Sequence, residues 1–508
     1  MIQIKSHNLT LPKIYVIFEI MKRIIFSLLL VIPLVLSCNT TNKADDPWAE
    51  AHKIVETMTK VSFPELSVNI TDFGAVAGDP SKLSHEAINL AIASVSQRGG
   101  GTVNVPPGVF YTGPITLLSN VNLHLSEGST LKFDPNPELY FPAVLTRWEG
   151  IDCYNTHPLI YAFGQTNIAL TGKGTIDGSA SNDNWWARGR RIERRPFHAD
   201  PDDPNSAILE GSRLKLLAWG EGNAPMHKRV YTLTDGLRPQ TINFYRCTTV
   251  LIEDITLLSS PFWVIHPLMC TDLTVRGVTV NNNGPNGDGC DPESCRNVLI
   301  ENCVFNTGDD CIAIKSGRNN DGRKWAMPSE NIVVRNCVMA NGHGGVVIGS
   351  EISGGFRNLY VENCKMDSPN LDRVIRIKTS TARGGLIENI YVRNLEVGEC
   401  REAVLRINLN YEANEPAQRG FIPEVRNVNL EGINCHKSKY GVWLYGLEDQ
   451  VKIDRVTLKD CNFEGVSSGG NYAHGQLGSI VFDNCRINSK KVEFTNSLRE
   501  GTFNDGFK

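Results

Sequence analysis

The chain has no surplus of charge of either sign. Its 508 residues carry 51 Lys and Arg against 55 Asp and Glu, a formal net charge of −4. That argues against the basic footprint of a nucleic-acid binder. It also lacks an apolar run of the ~20 residues needed to span a bilayer; the stretch from Ile24 to Leu36 falls short of it. Apolar residues at 41% and charged residues at 21% describe a soluble globular protein. The length fits two or three ordinary domains or one long repeat array.

The N-terminus reads as an export signal rather than fold. Met21-Lys-Arg is basic, Ile24 to Leu36 is apolar, and Ser37-Cys38 closes the segment. A small residue before Cys38 resembles the lipobox of bacterial lipoproteins, so Cys38 is a candidate lipidation site, placing the chain in the cell envelope. Without the lipid the chain would be secreted or periplasmic. Met1 to Ile20 reads as an upstream extension. Residues 39–67 read as a tether and lead-in, and 68–508 as one domain. Membrane contact is expected through the lipid alone, and the protein is expected to be a monomer.

Ser84 to Arg98 has helical periodicity, with Ala87, Leu90, Ala91, Ser94 and Val95 on one face and Ser84 placed to cap it. After Gly99-Gly-Gly101 the period falls to two, in short strands separated by Gly, Asn and Ser turns. Residues 179–235 lose that pattern. They are rich in Trp185, Trp186 and Trp219 and in Arg188, Arg190, Arg191, Arg194 and Arg195, a composition suited to an anionic, ring-shaped ligand.

From Val250 a repeat emerges. Val250-Leu-Ile-Glu-Asp-Ile255, Val298-Leu-Ile-Glu-Asn-Cys303, Ile332-Val-Val-Arg-Asn-Cys337, Leu359-Tyr-Val-Glu-Asn-Cys364 and Ile480-Val-Phe-Asp-Asn-Cys485 align with four similar segments at a stride of 23 to 38 residues. Positions one, three and six are apolar; position five is Asn, Asp or Gly, a turn signature. This is the pattern of a parallel β-helix, whose coils cannot bury their inner faces alone and so stack on one core. The fold class expected is all-β, with a helix capping the N-terminal end. Cysteine alternates with aliphatics at position six, so it reads as a small buried hydrophobe. A Cys290–Cys295 bridge is the alternative.

A second register follows. Setting Ile314, Ile348 and Ile377 in one inward stack brings Asp309, His343 and Asp372 level and turns Arg376 and Lys378 outward. Asp288, the Asp309-Asp310 pair, His343 and the Arg376/Lys378 pair then fall on four successive coils, a groove of roughly 15 Å at ~4.8 Å per coil. Clustered carboxylates in such a groove suit glycoside hydrolysis, one protonated toward the leaving oxygen and others ionised around a water. Like charges close together force one to keep its proton, and Asp309 is the expected holder, tuned by His343. Arg376 and Lys378 offer a cationic fork to a substrate carboxylate. Asp291, Glu293 and Asp372 read as solvated or structural. Singly, each motif is ordinary turn or strand chemistry; their order and one-coil spacing are not.

Asn286-Gly-Asp288, Gly308-Asp-Asp310, Gly342-His-Gly344 and Arg376-Ile-Lys378 together resemble the ordered motifs of the polygalacturonases of glycoside hydrolase family 28. Gly287 departs from that pattern, where Thr is usual. The resemblance runs from about Val68 to the end. It implies a right-handed β-helix and inverting hydrolysis of α-1,4-galacturonan in pectin, without metal or organic cofactor. It further implies Asp309 as general acid, Asp288 and Asp310 around the water, His343 assisting, and Arg376, Lys378 and Tyr411 on the substrate. The long insertion and Arg238-Pro239 resemble the exo-acting branch. A rhamnogalacturonan backbone, a Ca²⁺-dependent lyase and a glycan-binding β-helix without catalysis remain as alternatives.

Overall fold

The computed structural model describes residues 46–198, 203 and 205–492. The leader and Cys38 lie outside them. Among the described residues the chain winds into a parallel β-helix with two thirteen-stranded sheets and a third face in two pieces, of four and six strands. The coil is right-handed, as strand-to-parallel-strand crossovers are.

The repeat read from sequence is the register of the first sheet. Val250, Leu273, Val298, Ile332, Leu359, Ile390, Val428 and Val456 stand in one row, with Ile252, Val275, Ile300 and Val334 in the next row inward. All are buried in one continuous core. Position five turns the corner: from Asp254 through Asn302 and Asn363 to Asn484, it takes φ between +50° and +64°. Asn and Asp tolerate that region because the short side chain bonds locally, and Gly277 and Gly432 need no such help.

A second corner carries an amide ladder. Asn297, Asn331, Asn358, Asn389 and Asn427 also have positive φ. Each Nδ2 donates to the Oδ1 of the residue one coil earlier, at 2.7–3.0 Å, beginning with Asn297 on Asp272. The thirteen described cysteines are all free and buried. The hydrophobe reading of position six stands, and no Cys290–Cys295 bridge forms.

Two local expectations need correction. Helix α1 (Pro47–Thr57) lies inside the stretch read as tether and lead-in. It seats Trp48, Ala51, Ile54 and the following Met58 against Leu299, Val333 and Tyr360 on the outer face of the first sheet. Arg393 closes over the Trp48 ring at 3.8 Å. Helix α2 (His85–Gln97) is present, but it buries Ala87, Ile88, Ala91, Ile92 and Val95 and leaves Leu90 58% exposed. The apolar stripe is rotated by one residue, because the sheet end it covers takes both isoleucines. Ser84 makes no side-chain capping bond.

The six-stranded piece of the third face positions most of the candidate site residues, at its strand starts or within its strands. Its strands are β1 (Ile312–Ile314), β2 (Val346–Gly349), β3 (Arg373–Lys378), β4 (Ala403–Asn408), β5 (Tyr440–Tyr445) and β6 (Tyr472–His474). Ile314, Ile348 and Ile377 pair in one inward row. Arg376, paired with Val347 and Arg406, points the other way, and so does Lys378.

Candidate active site

The four expected coils meet as the spacing predicts. Gly289 N–H donates to Asp310 O, His343 N–H to Asp309 O and Asp372 N–H to Gly342 O, so these residues climb the strand starts in step. Asp288, Asp309, His343, Arg376, Lys378 and Tyr411 all line one pocket of about 630 Å³. Tyr411 places its ring 5.5 Å from the Arg376 guanidinium and 5.4 Å from Lys378 Nζ. Asp288, Asp309 and Asp310 each turn an oxygen to within 4.8 Å of the others.

The three acids are not equivalent. Burial pushes the Asp310 carboxyl up, but Lys378 Nζ at 2.6 Å and Arg376 Nη1 at 3.2 Å override it and hold it far below the usual carboxylate range. Asp309 is likewise raised by burial and brought down by His343, whose Nδ1 lies 2.9 Å from Oδ1. The same bond raises the imidazole. Asp288 goes the other way: burial and the nearby Asp291 and Asp309 push it well up.

The sequence reading put the spare proton on Asp309 and left Asp288 charged. The structure gives Asp309 an imidazole partner, which lowers its carboxyl, and gives Asp288 further carboxylates as neighbours, which with burial raise its own. Arg376 and Lys378 are also less open than a waiting fork, since both already hold Asp310. A divalent cation on this acid cluster would have to compete with Lys378, Arg376 and Lys315, the last with its Nζ 3.7 Å from Asp288.

Several residues that sequence reasoning left aside complete the site. Lys315 extends β1 outward in the register row of Lys378, a signal that the strand alignment carried. Its Nζ lies 3.2 Å from Glu351, 3.5 Å from Asp291 and 4.3 Å from the centroid of the Trp263 ring. Asp291, Glu293 and Asp372 are buried, so none is solvated. Glu293 pairs with Arg147 and His266, and Asp372 with Arg373 and Arg401.

The insertion walls the pocket, and of the side chains singled out there Arg194 is in the lining. It contributes Glu193, Arg194, Arg213, Leu214 and Leu217 to the lining. Helix α3 (Ser212–Glu221) carries Arg213, which pairs with Glu149 at 2.7 Å. Of the other residues expected there, Trp185 packs edge-on to Tyr140, Trp219 tilts against Tyr231, and Arg188 donates to the backbone oxygens of Gly236 and Leu233. The opposite wall is Glu412 to Pro416. Fully buried Arg318 joins the walls, reaching Glu149, Glu351, Glu412 and Glu415 at 2.8–3.1 Å. Arg383 pairs with Glu412 and Glu415 as well.

The departure at Gly287 has a steric cause. A Cβ there would meet Asn282 Nδ2 and Gly284 O at 2.6 Å, so the loop before Asp288 is drawn tighter than a threonine allows. Asn286 beside it accepts from Arg194 of the insertion and from Arg238, which in turn pairs with Glu193 of the insertion.

The chain is similar to several known proteins. The sequence model of the glycosyl hydrolases family 28 matches residues 211–475. The crystal structure of a hyperthermoactive exopolygalacturonase from Thermotoga maritima superposes with a TM-score of 0.79 at 38% identity, covering 87% of this chain and 96% of that one. An exo-poly-alpha-D-galacturonosidase of Dickeya chrysanthemi is 28% identical across 86% of this chain and 74% of its own. A probable polygalacturonase of Vitis vinifera is 27% identical across 79% of this chain and 78% of its own.

Proposed function

Since the chain belongs to the glycosyl hydrolases family 28, we propose that it hydrolyses the α-1,4-galacturonan of pectin, releasing galacturonate from chain ends. The observation that carries this is the convergence of three acids, one imidazole and a lysine–arginine pair in a walled pocket. Its volume, about 630 Å³, lies within the ~300–1,000 Å³ of sites that enclose a small ligand. That suits a chain end better than a long polymer run. The exo-acting relatives favour the same reading.

In the reaction, water attacks C1 as its proton passes to the ionised oxygen of Asp288. The C1–O4 bond breaks, its electron pair goes to O4, and O4 takes the proton that Asp309 and His343 hold between them. The entering galacturonate brings negative charge and excludes water, and both draw that proton from the imidazole toward Asp309. Arg376, Lys378 and Tyr411 hold the sugar, and Asp310 holds the two cations in place.

Oxygen separations within 4.8 Å are shorter than the ~6.5–9.5 Å between carboxyl groups usual for inversion. Inversion is favoured here because neither neighbour is a competent nucleophile. Asp310 is locked by two cations, and Asp288 lies in a cluster that retains a proton. A timed digest of polygalacturonate, followed by NMR, tests both points. Monomer appearing alone from the start, as the β-anomer, is the expected result. A ladder of oligomers sinks the exo reading; an α-anomer appearing first sinks inversion. Cleavage of rhamnogalacturonan fragments alone moves the substrate to that backbone.

Export through the Met21–Cys38 leader, with lipid on Cys38, belongs to the same proposal, since a pectic polymer is met outside the cytoplasm. Fractionation of cells making wild type and Cys38→Ala checks it: the wild type partitions with membranes and the variant is soluble outside the cytoplasm. The same soluble fraction for both removes the anchor.

A further inference from the structure

Asp291 does not line the pocket, yet it is wholly buried, and among the described residues its side chain meets only Asp288 and the ammonium of Lys315, with no well-aligned donor on either oxygen. The charged groups facing it are Lys315, Asp288 and Asp310. Lys315 Nζ lies 3.5 Å from it and closer, at 3.2 Å, to Glu351. Asp288 stands within hydrogen-bond contact of Asp291 and feels Asp309 and Asp310 from its other side. One ammonium therefore serves Asp288, Asp291 and Glu351 together. Two buried carboxylates in contact, with two more acids nearby, cannot both ionise.

We propose that Asp288 and Asp291 share one proton at working pH, held on Asp291, so that Asp288 turns an ionised oxygen to the attacking water. Asp291 is then a positioning residue: it touches no substrate, but fixes the charge and the orientation of the group that does. This rests on the hydrolase reading above. The balance is simple: the shared proton stays on Asp291, and the proton leaving the water makes Asp288 the second neutral carboxyl. Burial supports the arrangement by raising both groups well above the ordinary carboxylate range. Lys315 keeps the pair from taking up a second proton before the water arrives.

The test compares Asp291→Asn and Asp291→Leu with wild type, reading kcat/KM on polygalacturonate against pH and the infrared band of a neutral buried carboxyl near neutral pH. The Asn amide donates to Asp288 as the shared proton did, so its acidic limb is expected to stay at the wild-type position. Leu donates nothing, so Asp288 binds protons more readily and the acidic limb moves up by about one pH unit. The infrared band is expected in wild type and lost in Asp291→Asn.

An acidic limb that moves down in both variants would mean that Asp291 was ionised and acting by its charge, and overturns the proposal. Limbs unmoved in both, with only a lower denaturation midpoint, reduce Asp291 to packing and overturn it too. Absence of the band in wild type does so even where Asp291→Leu fails to fold. Absence of turnover by wild type, with the band present, sinks the hydrolase reading and leaves the shared proton standing.

Discussion

Asp309→Asn should cut turnover of polygalacturonate by about 10²–10⁴-fold, the contribution typical of a positioned general acid. The amide keeps the shape of the side chain but has no proton to give to O4. Its effect should fall on kcat and kcat/KM alike, with KM little changed, because the lost interaction is made in the transition state. The fold should survive, since Asp309 is 21% exposed on its side chain and its main partner is the half-exposed His343. Reducing-sugar release beside a circular-dichroism spectrum gives the answer. Turnover within tenfold of wild type, with the spectrum intact, would unseat Asp309 as the acid. If wild type binds pectin without cleaving it, the non-catalytic β-helix reading takes over.

Arg318→Met should cost stability on the scale of a broken buried ion pair, roughly 3–5 kcal/mol. Arg318 is fully buried and answers four carboxylates from three separate segments: Glu149, Glu351, and the Glu412–Glu415 wall. Removing it leaves those charges to Arg213, Arg383 and Lys315, each already committed. Burial at this site is worthwhile only with the guanidinium present, because its planar fork serves several acceptors at once. Urea denaturation reads the stability. The product pattern reads the second effect: with the walls released, oligomers should appear beside the monomer. A variant as stable as wild type and still releasing monomer alone would mean that these ion pairs neither hold the walls nor set the mode of attack.

Much of this was legible from sequence, for physical reasons. A parallel β-helix repeats its environment each coil, so Val298, Ile332, Leu359 and Ile390 announce one another. The turn needs a left-handed residue, so Asn302, Asn336 and Asn363 mark the corners. Strand alignment then placed Asp309, His343 and Arg376 within reach of each other. What depended on segments far apart in sequence was not legible. The burial of Arg318 and Asp291 is set by loops from other coils, and the upward push on the Asp288 carboxyl follows from burial of the same kind.

Helix α1 did leave a trace. Leu299, Val333 and Tyr360 are apolar at position two of three consecutive coils, where the coils of Thr274, Asn429 and Thr457 are polar and an apolar Leu251 or Val481 stands singly. An outward apolar residue in consecutive coils asks for a cover, and Trp48, Ala51 and Ile54 have the spacing to supply it.

The amide ladder has a bearing on how such a chain changes over generations. Successive amides along it are separated by 34, 27, 31 and 38 residues in sequence, yet each rung has the same bond. One corner of each coil from Asp272 to Asn427 is thus clamped in place while the length between clamps is left free. Loops can lengthen, shorten or be exchanged without altering the rise from Asp309 to His343 to Arg376. The walls that decide what enters are therefore open to drift and selection on their own, on a catalytic frame that need not be rebuilt each time they change.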